Sequence, residues 1–174
     1  LRSRTDRELL AIIAPRHLDR LNTIESLLGG QGLGYDRLSE LKQSRQRVHP
    51  LVLVDTFGDL GELYSVATFV FVGGSLSGSG GHNMMEPAIW ERVVFFGPDT
   101  ADFKESAATL ENCGGGYRVD GIDDLGAKMT MLQGDRKRLD HARQQAGNAA
   151  REHQGAADRQ AALIMACVEQ INKA

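Results

Sequence analysis

The chain has 174 residues, 41% of them hydrophobic and 25% charged, which is enough apolar material and length for a globular domain with a real core. Its 20 basic and 23 acidic residues leave a formal net charge of −3, which argues against a nucleic-acid-binding surface. No apolar run reaches the roughly 18 residues that a membrane-crossing helix needs.

In chain order, Leu9–Ala14 is a short apolar run stopped by Pro15, and its length predicts a buried strand. Arg16–Leu28 carries apolar residues at 18, 21, 24, 27 and 28, the spacing of an amphipathic helix that ends at Gly29-Gly30. Gln31–Pro50 is polar and basic, a loop with a short strand or helix. Leu51–Val54 predicts the next strand, Asp55–Gly58 a turn, and Asp59–Ala67 a helix. Phe69–Val72 is a strand that runs into the glycine-rich Gly73–Gly81. Asn83–Glu91 predicts a helix with Pro87 in its early part. Arg92–Phe96 and Gly116–Val119 predict strands around a helix at Phe103–Leu110. Ile122–Leu132 follows as a helix capped by Asp123-Asp124, then a polar helix at Asp135–His153. A separate amphipathic helix at Gln160–Ile171 has Leu163, Ile164, Ala166, Cys167, Val168 and Ile171 on its apolar side.

About five short strands alternate with helices. Right-handed crossovers make this α/β: a Rossmann-like, doubly wound parallel sheet with helices on both faces. Cys113 and Cys167 lack metal-type spacing and fit a reducing compartment. Basic clusters at Arg2–Arg7, Lys42–Arg47 and Arg136–Arg138 read as solvated faces. The chain opens at Leu1 without Met or a visible signal peptide, in the manner of an excised domain.

In such sheets ligands bind beyond the carboxyl ends of the strands. That rule selects Pro15-Arg16-His17, Thr56–Asp59 and Gly73–Asn83, and predicts that they share one edge. Arg16 offers a fork of donors suited to phosphate, or else a solvent-exposed arginine at a helix start. Phe57 can cover a base ring while backbone at Gly58 and Asp59 reads its edge; the alternative is a tight turn with Asp55 or Thr56 as helix cap. Gly73–Pro87 suits an anion at a helix start, with Asn83 as cap and amide donor. Glu86 can accept from sugar hydroxyls, or merely sit favourably on the helix dipole. His82 has no second metal ligand at helix spacing, and the loop is not a P-loop. Phosphate plus ribose points to a nucleotide or nucleotide-sugar.

APRH at 14–17, DTFGDLGELY at 55–64 and VGGSLSGSGGHNMMEPA at 72–88 resemble the C-terminal half of bacterial 3-deoxy-D-manno-octulosonic acid (Kdo) transferases. VVFFGPDTADFKE at 93–105 is similar to the strand, Gly-Pro turn and helix that follow in that family. The resemblance implies the C-terminal domain of a GT-B glycosyltransferase, with residues 1–174 binding the donor CMP-Kdo. CMP contacts are then expected at Pro15, Arg16, Phe57, Gly58, Asp59, Asn83, Met84, Met85 and Glu86. The family's general base, a glutamate, belongs to an N-terminal acceptor domain outside this chain. No catalytic residue, metal or cofactor is therefore assigned here. The whole protein is expected to move Kdo from CMP-Kdo to a lipid A precursor in lipopolysaccharide biosynthesis. It would act at the cytoplasmic face of the bacterial inner membrane, which it would meet through the N-terminal part. This domain would be soluble and inactive alone. The family carries Glu where this chain has Asp59, often Leu near Met85, and a bulkier pair in place of Ser77-Gly78. The residues leave two alternatives: another GT-B transferase or sugar-nucleotide epimerase using a different nucleotide, and a non-catalytic nucleotide-binding domain.

Overall fold

Apolar tracts of three or four residues, each bounded by Gly, Pro or polar turns, are too short for helices and pair as strands. The computed structural model describes residues 9–171 apart from 44 and 79, and the side chains of 155–163 and 166–171 fall outside that description. The chain divides into two compact units, Leu1–Leu63 and Tyr64–Ala174.

The first unit contains β1 (Ala11–Ile13), α1 (Leu21–Gly30), β2 (Asp36–Arg37), α2 (Leu38–Lys42), β3 (Leu51–Leu53) and the start of α3 (Leu60–Val66). Its sheet runs β1-β3-β2, all parallel, with Ala11 opposite Leu51 and Arg37 opposite Leu53. The central strand β3 holds the buried Val52 and Leu53. The helix predicted from Arg16 begins only at Leu21. A 3-10 turn, Leu18–Arg20, leads into α1, and Pro15 and Arg16 lie in the irregular segment before it.

The second unit contains β4 (Phe69–Phe71), α4 (Met85–Ile89), β5 (Val93–Phe96), α5 (Lys104–Cys113), β6 (Gly116–Arg118), α6 (Ile122–Gly134) and α7 (Arg136–Ile171). Its sheet runs β4-β5-β6, again parallel, with Phe69 opposite Val93 and Val94 opposite Gly116. All four residues of β5 are 0% exposed, as a strand covered on both faces requires. Val94 and Phe96 pack with Val72, Met84, Ala88, Leu110 and Ala146 on one face. Val93 and Phe95 pack with Val119, Leu132 and Ala142 on the other, where Phe95 meets Phe69 edge-on. From α7, Ala146, Ala149 and Ala150 join the first of these clusters and Ala142 the second.

The predicted gap between two terminal helices is absent, and α7 runs unbroken through it. Residues 154–159 contain no proline and two alanines, so nothing there stops the helix. Ile164, expected on an apolar side, is exposed. Leu163, Ala166, Cys167, Val168 and Ile171, and the basic cluster Arg2–Arg7, lie outside the described side chains. The helix predicted over 83–91 shrinks to the five residues of α4. It ends where Glu91 adopts a left-handed backbone, with φ 57°. Asp123-Asp124 do not cap α6 through their side chains in the usual way; Gly121 precedes it, and the Asp124 carboxylate accepts from the Asp120 amide at 3.1 Å and pairs with Lys128. Among the described residues, no helix is long and apolar enough to cross a membrane.

The start of the glycine-rich loop is locked to the segment after β5. The Ser75 side chain, 0% exposed, donates to the Val72 carbonyl at 2.6 Å and accepts from the Gly97 amide at 2.8 Å. A side chain at Gly97 would run into the Ser75 carbonyl group, whereas one at Gly73 would meet open space. We expect Gly97→Ala to cost about 1–3 kcal/mol, as overpacking does, and Gly73→Ala to be near neutral. Urea unfolding of the two variants checks this.

Candidate functional site

Parallel pairing puts the carboxyl ends of β1 and β3 on one edge of the first sheet. The segment with Pro15 and Arg16 and the turn Thr56–Asp59 both leave from that edge. Pro15 is half-buried and Arg16 exposed. Phe57 is 80% exposed, unusual for so large an apolar ring. Gly58 next to it has φ 88°, a conformation that a side chain would strain.

The acidic residues of this turn are engaged within the protein. Asp55 accepts from both the amide and the hydroxyl of Ser39, at 2.9 and 2.6 Å. Burial pushes the Asp55 carboxyl up, but these bonds outweigh it and hold it below its ordinary value. Asp59 accepts from the Lys42 ammonium and the Thr56 hydroxyl, in that order the causes that lower its carboxyl. Neither Asp55 nor Thr56 caps α3. Asp59 directly precedes the helix, and its carbonyl accepts from the Leu63 amide at 3.0 Å. Lys42 belongs to a cluster read from sequence as a solvated face. Half of its side chain is indeed exposed, yet its ammonium is paired.

In the second unit the glycine-rich loop follows β4. Gly74, Gly78, Gly80 and Gly81 all have φ between 72° and 81°. The Gly80 amide does not face open space as a bare anion cradle would. It donates to the Asp99 carboxylate at 2.9 Å. A carboxylate of the protein already occupies that donor, and the far end of the loop leads into α4. There the Asn83 side-chain oxygen accepts from the Met85 amide at 3.0 Å, and its amide nitrogen donates to Glu86 at 3.2 Å. Asn83 thus satisfies a helix-start amide, although Met84 holds the cap position itself. Asn83 and Glu86 are exposed side by side. Met84 is 0% exposed and Met85 is also buried, both within the hydrophobic core. Their side chains are packing groups, and only their backbone remains to meet a ligand. The helix-dipole contribution expected here is small, because α4 has five residues.

Sequence reasoning missed Ser39, Lys42, Ser75 and Asp99, because each acts through a partner 16 to 22 positions away. It also missed Tyr64, half-buried in α3. Its phenol is pushed up to about 12 by burial, with a smaller push from the Glu86 carboxylate.

Parallel strands joined through helices, with polar loops at the strand ends, define the Rossmann-like α/β class. The fold matches the crystal structure of the C-terminal CMP-Kdo binding domain of WaaA from Acinetobacter baumannii, with a TM-score of 0.73 over 83% of this chain and 75% of that one, at 23% identity. By sequence, the chain is a relative of the 3-deoxy-D-manno-octulosonic acid transferases. It is 32% identical over 136 residues to that enzyme of Aquifex aeolicus, covering 78% of this chain and 37% of the relative. It is 34% identical over 118 residues to that of Haemophilus influenzae, covering 67% and 27%. A bifunctional glycosyltransferase/methyltransferase of Fusobacterium nucleatum is 33% identical over 126 residues, covering 72% and 20%. The chain therefore spans between a fifth and about two fifths of the length of these relatives. No protein-family model matches it.

The raised phenol of Tyr64 favours the neutral form in the fold. Its contribution to stability is full below the ordinary value of 10.0 and is lost as pH rises through about 12. We expect the alkaline absorbance titration of the folded chain to contain a tyrosine ionising near 12 that Tyr64→Phe removes. Glu86→Gln should shift that component downward.

Proposed function

We propose that this chain is the donor-binding half of a glycosyltransferase that moves Kdo from CMP-Kdo to a lipid A precursor. One observation carries the reading: the segments likest the Kdo transferases, 14–17, 55–64 and 72–88, are those that follow the carboxyl ends of β1, β3 and β4.

In the reaction a hydroxyl of the acceptor attacks the anomeric carbon of Kdo. The bond to the CMP phosphate breaks, and CMP leaves with the electron pair. The chain's task is to hold that leaving group. The Arg16 guanidinium pairs with the phosphate and stabilises the charge that grows on it. Phe57 presents its ring to the cytosine, and the backbone of Gly58 and Asp59 meets the base edge. Glu86, oriented by Asn83, accepts from the ribose hydroxyls, and the backbone of Met84 and Met85 lies beside them. Pro15 fixes the approach of Arg16. The group that deprotonates the acceptor belongs to another part of the protein, as does the contact with lipid and with the inner membrane.

The test is calorimetric titration of the chain with CMP, with UDP and GDP as competitors. We expect weak CMP binding, displaced by neither competitor, and no transfer activity. Preference for UDP, or no heat at millimolar CMP with the fold intact, overturns the reading. Arg16→Ala should weaken CMP by roughly tenfold, the scale of a charge-assisted bond, and leave cytidine unchanged. Equal loss for both ligands would remove the phosphate role.

A further inference from the structure

The Thr56–Asp59 turn is held from both sides by one short helix. β2 pairs beside β3 with Arg37 opposite Leu53 and passes directly into α2, which therefore starts where β3 ends. Ser39 and Lys42 are three residues apart and lie on the same side of α2. Ser39 bonds Asp55 twice, at 2.9 and 2.6 Å, just before the turn. Lys42 pairs with Asp59 at its end, and Thr56 donates to the same carboxylate. The Asp59 side chain is only 12% exposed. Both carboxylates are thereby spent on α2 and the turn. What the turn presents outward is the Phe57 ring and the backbone around Gly58.

We propose that α2 is a clip that fixes the Thr56–Asp59 turn before ligand arrives, and that Lys42 is a positioning residue for recognition of the nucleotide base. An exposed aromatic ring on a free loop loses rotational and backbone freedom when it binds. A turn already pinned at both ends has lost that freedom on folding, so the ligand does not pay for it again. Lys42 acts through Asp59 and touches no ligand. The proposal rests on the reading of the Phe57 turn as a base contact.

The test combines hydrogen exchange of the ligand-free 174-residue chain with titration by cytidine and by CMP. Lys42→Met should speed exchange at the amides of residues 57–60 while β3 stays protected. It should weaken cytidine and CMP alike, by about fivefold to tenfold. Asp59→Asn should do the same, the double variant should be no worse than either single one, and Lys42→Arg should restore most of the loss. Additive losses, or a loss confined to CMP, overturn the proposal, since Lys42 would then be touching the phosphate. Unchanged exchange at 57–60 in Lys42→Met, with CMP still bound by the parent chain, overturns the clip alone. Faster exchange in Lys42→Met, with a parent chain that binds neither ligand, overturns the base-recognition role together with the reading beneath it, and leaves Lys42 as a holder of the turn only.

Discussion

Parallel pairing is the constraint on which the rest depends. Neighbouring parallel strands end at the same edge of their sheet, and each connection must cross back through a helix or an extended loop. In the first unit this brings the segment after β1 and the turn after β3 to one edge. In the second it sets the loop after β4 beside the segment after β5, where the Ser75 side chain joins them. The burial that supports the second sheet is concentrated in β5, whose alternate residues anchor a different layer of helices on each face. Polar loops can be shaped for a ligand there because the strands beneath them carry the packing.

Carboxylates give those loops their form. Asp55 and Asp59 are taken up by Ser39, Thr56 and Lys42, and Asp99 by the Gly80 amide. A loop rich in glycine invites the reading of an anion cradle, yet one of its donors already has an internal anion. Gly74, Gly78, Gly80 and Gly81 of this loop serve turns of positive φ, and Gly97 opposite serves close approach to Ser75. In the first unit the Phe57 ring stays exposed, and in the second the Asn83–Glu86 pair does.

The positions of most elements follow from local pattern. Leu51–Val54 and Arg92–Phe96 read as strands because short apolar runs bounded by turns have few other outcomes, and both are strands. Distant packing overrides local signals in several places. Met84 and Met85 sit between two polar site candidates, but the core under α4 claims their side chains. The predicted helix at 83–91 stops short where the chain turns at Glu91, whose carboxylate meets Arg151 on α7. The interval near residue 155 looked like a gap between helices, but a single glycine among good helix formers costs about 1 kcal/mol, too little to end a helix of this length.

The sequence by itself determined the α/β class, the parallel order of strand and helix, and the polar segments that follow the strand ends, because apolar periodicity and turn residues act over a few neighbours. Only the tertiary structure decided which side chains in those segments remain available. Whether Asp59 faces a ligand or Lys42, whether Gly80 offers its amide or bonds Asp99, and whether Met84 lines a site or fills a core depend on residues brought together from 16 or more positions away. A buried or paired group is unavailable for reasons of desolvation and hydrogen bonding, and those are properties of the folded neighbourhood.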